Sequence, residues 1–304
     1  MKGSVKWQVI EIFKEIKQIG SSKHEAKNTA RQDGAHGSHG IAQKTGLYGI
    51  NTIDSYRNSV EKFGTWAKEN AGLKDLTKTV PEAVKAYLSS RIAENVAHKT
   101  FQAEKAALNK FESALNKYSQ THNLNKTYDF KLNETFKNDH KSLRRADVRA
   151  YSAKVVEKLL SIKNPAVNLA VRLALNAGLR KSEILKLSEK NILGDKIDVI
   201  GAKGGKDRIV SKIHDRSLIS DVKAFLKENN IQKLGDAMSG AKINNEIRAV
   251  LKDTGAIHPL RHNYSISTIK DFEKEGYSNI QAEYFTSGQL GHERVEIVEN
   301  IYSK

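Results

Sequence analysis

Near its C-terminal end the chain carries His258-Pro259-Leu260-Arg261-His262, then Leu290-Gly291-His292, then Tyr302. Residues of these types suit an attack on a phosphate. Arginine presents a fixed fork of N–H donors matched to phosphate oxygens, and histidine can hold or move protons near neutral pH. A tyrosine hydroxyl is protonated at pH 7, so as a nucleophile it needs positive charge beside it. Two upstream segments supply that charge. In Gly178-Leu179-Arg180-Lys181-Ser182-Glu183, Arg180 falls just after a turn glycine at the start of a helix. The first N–H groups of such a helix reinforce a positive field toward an anion. In Gly201-Ala-Lys203-Gly-Gly-Lys206-Asp-Arg208, two lysines project from a hairpin tip, where one could reach a leaving group as a proton donor.

The elements that must hold these groups are mostly helical. A strand over Lys196–Ile200, a glycine-containing turn and a second strand over Arg208–Val210 make the hairpin. Around it the periodicity predicts helices from Ser152, over Ala166–Asn176, Leu218–Lys227, Ile243–Asp253 and Pro259–Lys274, and in a last segment through Tyr302. Pro259 suits a first helical turn, which sets His258 and Arg261 at another positive helix end. Upstream, Ile53, Tyr56, Val60, Phe63 and Trp66 form one apolar stripe that stops near Gly72. Thr79 can cap a second helix with Pro81 in its first turn, and a third carries Phe101, Leu108, Phe111 and Leu115. Aromatic residues at this spacing are read as core.

The domains expected are therefore an N-terminal helix and flexible arm over 1–45, an all-helical domain over 46–122, a basic linker over 123–150, and a mixed, mostly helical domain over 151–304. The arm contains Gly34-Ala-His36-Gly-Ser-His39-Gly, read as a loop whose two histidines lack a third ligand, so no metal is expected. The linker ends in Lys141-Ser-Leu-Arg144-Arg145-Ala-Asp-Val-Arg149, a solvated segment that could also lie on phosphates.

Charge names the partner class. The net charge is +16 over 304 residues. Residues 1–150 hold 26 basic and 16 acidic side chains, and residues 151–304 hold 25 and 19, so the excess is +10 and +6. Both halves are thus expected to meet a polyanion, with nucleic acid first in line. There are no cysteines, which excludes disulfides and thiolate chemistry. Charged residues interrupt the first twenty positions, and no apolar run approaches the ~20 residues of a membrane span, so a soluble cytoplasmic protein is expected.

Arg180 with Ser182 and Glu183, the hairpin lysine, His258-x-x-Arg261-His262, Leu290-Gly291-His292 and Tyr302 together resemble the tyrosine recombinases, the phage integrase family. The order and spacing match over residues 150–302. The resemblance implies an α+β catalytic domain and an all-α core-binding domain closing on duplex DNA as a clamp. It implies Tyr302 as the nucleophile that forms a 3′-phosphotyrosyl link. Arg180 and Arg261 would bind the non-bridging oxygens, Lys203 would be the general acid, His258 would assist proton transfer, and His292 would hold a phosphate oxygen. Lys206 competes with Lys203 for the hairpin role and is otherwise a phosphate contact, with Arg208, Arg144, Arg145 and Arg149 as further DNA contacts. Glu183 is expected to orient an arginine rather than to catalyse. No cofactor is implied.

The partners implied are double-stranded DNA with inverted-repeat core sites, three further copies of the chain in a synaptic tetramer, and accessory DNA-bending proteins, with the protein associated with the nucleoid through its DNA. Many relatives continue beyond the tyrosine into a helix that docks on a neighbouring subunit, whereas here Ser303 and Lys304 follow it. Assembly is then expected to use other surfaces or exchange of the tyrosine segment. Type IB topoisomerases share the chemistry, and a relative that holds DNA without cutting is a further alternative, as is a basic helical RNA-binding protein.

Overall fold

The computed structural model describes residues 1–144, 149–201, 207–252 and 255–291. The chain divides into two compact units that part after Arg145.

Unit 1 is all helical: α1 (Val5–Lys14), α2 (Lys23–Gln32), α3 (Gly37–Lys44), α4 (Ile50–Ala71), α5 (Pro81–Ala93), α6 (His98–Thr121) and the single turn α7 (Leu132–Thr135). The expected stripe on α4 faces inward, with Val60 and Phe63 fully buried against Phe101, Leu108 and Phe111 of α6. Gly72 closes α4 in the left-handed region at φ 63°, where glycine carries no Cβ penalty. Pro81 opens α5 as anticipated, but Thr79 is not its cap. The Thr79 hydroxyl instead donates back to the Leu76 carbonyl at 2.7 Å, closing the 3₁₀ turn that precedes the helix.

Two segments differ from the sequence reading. Residues 1–45 form three helices, and α1 belongs to the core: Ile12 and Phe13 are fully buried, with the Phe13 ring stacked 6.3 Å from that of Phe111. The glycine-rich stretch turns at Gly34 and Gly37, then becomes α3, whose last carbonyls are taken by the buried amine of Lys110. Residues 123–144 are no solvated linker. Tyr128, Phe130, Leu132, Phe136 and Leu143 all join the unit 1 core, and their irregular spacing is that of a strap, interrupted by the turn α7, that bonds to Asn116 and Glu112 of α6. Polar composition between these anchors conceals a segment that buries one side chain every few residues.

Unit 2 combines helices α8 (Ala153–Leu160), α9 (Pro165–Asn176) and α10 (Lys181–Lys186), strands β1 (Ile192–Leu193), β2 (Lys196–Val199) and β3 (Arg208–Val210), then α11 (Leu218–Glu228), α12 (Gly240–Leu251), α13 (His258–Lys274) and α14 (Asn279–Leu290). The sheet is antiparallel in the order β1-β2-β3, so the expected hairpin gains one short strand. Its register pairs Ile197 with Val210 and Val199 with Arg208, which sets these four on the face that packs inward and leaves Ile209 exposed. α9 is the central helix, with Val167, Ala170, Val171 and Leu173 at or near zero exposure. Among the described residues no helix is long and apolar enough to cross a membrane.

Candidate active site

Unit 2 brings the Arg180 turn, strand β3, the start of α13 and the end of α14 to one place. After α9 the chain reverses through Gly178 at φ 60°. A Cβ at this position would lie 2.4 Å from the Tyr264 ring, so both the backbone and the space require glycine. Two residues later Arg180 occupies the N-cap position of α10, and Glu183, at the third helical position, folds back on it. Oε2 accepts the Arg180 backbone N–H at 2.8 Å, and Oε1 accepts Nη1 at 2.7 Å.

Arg208 meets the same carboxylate from β3. Its Nη1 and Nη2 donate to Glu183 Oε1 and Oε2 at 3.0 and 2.8 Å, and its Nε donates to the Gln289 carbonyl at 2.8 Å. The side chains of Glu183 and Arg208 are only 4% and 6% exposed, whereas that of Arg180 is 21% exposed. Burial by itself would raise the Glu183 carboxyl. The hydrogen bonds and charge of Arg208, followed by the bonds from Arg180, override it and hold the group down to about 2. Glu183 is therefore ionised, and it orients two arginines rather than one. Arg208, expected as a DNA contact, is engaged within unit 2 in this structure. Its guanidinium is consumed inside the unit by Glu183 and Gln289, because its strand position points it inward beside Val210.

α13 begins at His258, with Pro259 in the first turn. His258 is exposed, while His262 one turn later is buried, and the two rings meet edge-to-face at 5.2 Å. Arg261 is 1% exposed, the largest fully buried side chain of the described residues. Its Nη1 donates to the Gly178 carbonyl and its Nη2 to the Leu290 carbonyl. One guanidinium thus ties the turn before Arg180 to the C-terminus of α14, where Gly291 stops the helix at φ 64°. A Cβ on Gly291 would sit 2.9 Å from Cδ of Arg208, so this glycine marks a close approach of α14 to β3.

Residues the sequence reading did not single out complete the frame. The Gln289 side chain accepts the N–H groups of Ser211 and Lys212 at 2.9 and 3.1 Å, pinning α14 to the end of β3. Tyr264 donates its hydroxyl to the Lys212 carbonyl at 2.8 Å, and burial pushes its phenol up to about 12. His214 lies between Thr268, at 3.0 Å, and Asp271, at 3.1 Å, and packs edge-on against Tyr264. Burial lowers its pKa despite the aspartate. The signal for Tyr264 was its place about one helical turn after Arg261. Gln289 carries none, since its bonds join parts of the chain far apart in sequence.

The structure accordingly brings together the Arg180 turn, Arg261 and the Leu290-Gly291 end of α14, with His258 at the start of the helix that carries Arg261. Lys203, Lys206, His292 and Tyr302 lie outside the described residues, as does Arg145. Arg144 lies in unit 1 and Arg149 in unit 2, both exposed, with the Arg144 carbonyl accepting the His98 N–H at 3.0 Å.

Residues 47–118 match the family model of the phage integrase N-terminal SAM-like domain. No curated protein matches the chain in sequence. Among solved structures it is similar to a lambda integrase dimer bound to a COC′ core site, at 15% identity and a TM-score of 0.56, covering 93% of this chain and 96% of that one. The Tn1549 transposon integrase in complex with transposon right end DNA gives 14% identity, a TM-score of 0.56, and coverage of 92% and 93%. A lambda integrase tetramer bound to a Holliday junction gives 15%, 0.54, 89% and 74%. The match to the SAM-like domain thus covers residues 47–118 of unit 1, and the chain as a whole shares its fold with these integrases.

Proposed function

We propose that the chain is a site-specific DNA recombinase that cuts and rejoins duplex DNA through a 3′-phosphotyrosyl intermediate. The observation that carries this reading is the convergence of the Arg180 turn, the buried Arg261 and the end of α14, which the bonds of Arg261 to Gly178 and Leu290 hold in one place. His292 and, ten residues later, Tyr302 follow that end in sequence, and Lys203 follows β2. In this reading Tyr302 Oη attacks the scissile phosphorus, the 5′ oxygen leaves with a proton from Lys203, and His258 takes the tyrosine proton. Arg180, Arg261 and His292 stabilise the charge on the non-bridging oxygens. Removing one such preorganised donor costs about 2.7–4 kcal/mol of barrier in general. Glu183 acts by holding Arg180 in its rotamer.

The DNA partner is a duplex with inverted-repeat core sites, bound by phosphate contacts that salt weakens. Four copies pair two sites and exchange strands through a Holliday junction, with DNA-bending proteins as accessories. The lambda integrase structures with a core site and with a Holliday junction support this reading of the fold. Arg144 and Arg149 contact phosphates on either side of the division between units, and Lys206 does so from the hairpin. The test is a plasmid carrying two candidate sites. Deletion or inversion of the segment between them is the expected product. Relaxation of a supercoiled plasmid with no exchange would assign the chemistry to a topoisomerase instead, and tight duplex binding with neither product would assign it to a non-cutting relative.

A further inference from the structure

Unit 2 has a second concentration of positive charge, away from the arginines of the site. A cleft of about 1010 Å³ lies between the end of α10 with the turn that follows it and α11. It is lined by Lys186, Lys190, Lys223, Lys227 and Lys233, with Glu189 as the acidic residue among them. Among the described residues only Lys233 of the five reaches a carboxylate, that of Asp236 at 4.0 Å. Lys223 and Lys227 are four residues apart on α11, and like charges at that spacing repel. A concave wall with five lysines against one glutamate also focuses a positive field outward, which raises the local concentration of an anion.

The cleft borders the end of α10, the helix that carries Glu183 of the candidate active site. Lys186 shares the short helix α10 with Arg180 and Glu183, and its Nζ donates to the Gly201 carbonyl, at the base of the hairpin, at 3.3 Å. An adjoining recess of about 640 Å³ shares Lys186 and Lys233 and adds Lys242 of α12. Positive charge therefore runs from the Arg180 helix past the hairpin base to α11 on one side and α12 on the other.

We propose that this cleft is a track for a nucleic-acid phosphate backbone, carrying duplex contact beyond the phosphate that is cut. The proposal rests on the reading of the chain as a DNA strand-transferring enzyme. Lysine ammonium groups are compact point charges that suit successive phosphates and need no fixed geometry. A protein segment would ask for an apolar anchoring pocket as well, and the lining is chiefly lysine and other polar side chains.

The experiment is a salt titration of binding to a short core-site duplex, comparing wild type with K186Q/K190Q/K223Q/K227Q. Each phosphate contact contributes about 0.9 to the slope of log K against log salt, so the variant's slope should be shallower by about 3 to 4. K154Q/K158Q, two exposed lysines on α8, should leave the slope as it is. A second measurement needs no variant: in wild type, duplex should protect the four cleft lysines from an amine-reactive label and leave Lys154 and Lys158 reactive. An unmoved slope together with unprotected cleft lysines overturns the track. Poly-glutamate binding that the four substitutions abolish, with the duplex slope unmoved, assigns the cleft to an acidic peptide and overturns it too. The two readings fail separately. A wild type with no salt-dependent duplex binding overturns the function proposed above, whereas an unmoved slope on a wild type that binds overturns only the track.

Discussion

Replacing Glu183 with glutamine changes one oxygen to an amide and removes the charge on which two arginines converge. The loss can be estimated in two ways. The carboxyl is held at about 2 against an ordinary value of 4.5, and a shift of that size corresponds to roughly 3 kcal/mol at neutral pH, at 1.36 kcal/mol per unit. Independently, removing one partner of a buried ion pair costs about 3–5 kcal/mol, because the other charge is left uncompensated; here that charge is Arg208, with a side chain only 6% exposed. The sign with pH follows from the direction of the shift. A carboxylate with a depressed folded pKa contributes stability above its unfolded pKa, near 4.5, and loses it as pH falls toward 2. Glu183→Gln should therefore destabilise unit 2 by about 3 kcal/mol at pH 7, and the gap to wild type should close between about pH 4.5 and 2. Hydrogen exchange read by mass spectrometry on peptides from α10, β3 and α14 measures this within one unit of a two-unit chain. Equal protection in both proteins at pH 7 would refute the reasoning, and so would a gap that stays constant down to pH 2.5.

Other expectations come from particular contacts. Gly178→Ala forces a Cβ into the left-handed region, at about 1–3 kcal/mol, and into the Tyr264 ring; exchange should rise along α13 and α14, and unchanged protection there would count against the tight turn. Arg91→Met leaves the buried Glu104 without the partner that donates to both its oxygens, so unit 1 should lose about 3–5 kcal/mol. Both tryptophans, Trp7 and Trp66, lie in unit 1, so a urea midpoint from their fluorescence reads that loss directly, and an unchanged midpoint would contradict it. His214 should titrate below 6.5 by NMR, since burial disfavours its charged form, and unit 2 should lose stability as pH falls below that value. A His214 midpoint at or above 6.5 would show that Asp271 outweighs burial.

The turn and helix starts that carry Arg180 and Arg261 were legible because their signals are local. A glycine before Arg180 and a glutamate three residues after it describe a turn and a helix start, and the structure realises both in the bonds of Glu183. Pro259 likewise announced the first turn of α13. The inward bonds of Arg208 were not anticipated because charge was read before period. Alternation along Arg208-Ile209-Val210 sets the arginine on the face of the buried valine, and Ile209 is the exposed one. The strap over 123–144 was missed for a different reason: it buries Tyr128, Phe130, Leu132 and Phe136 without following a helical or strand period for long. Arg261 shows what remains beyond local reading. Its residue type and spacing suggested a phosphate ligand, but its bonds to carbonyls 83 and 29 residues away in sequence depend on how three segments pack.

The central claim is that Tyr302 is the nucleophile. Incubation with nicked core-site duplexes that trap a covalent intermediate, followed by protease digestion and mass spectrometry, tests it directly. The account predicts an SDS-resistant protein–DNA adduct on a 3′ phosphate, mapped to residue 302, and its loss in Tyr302→Phe with DNA binding retained. An adduct on another residue, or one that survives Tyr302→Phe, would contradict it.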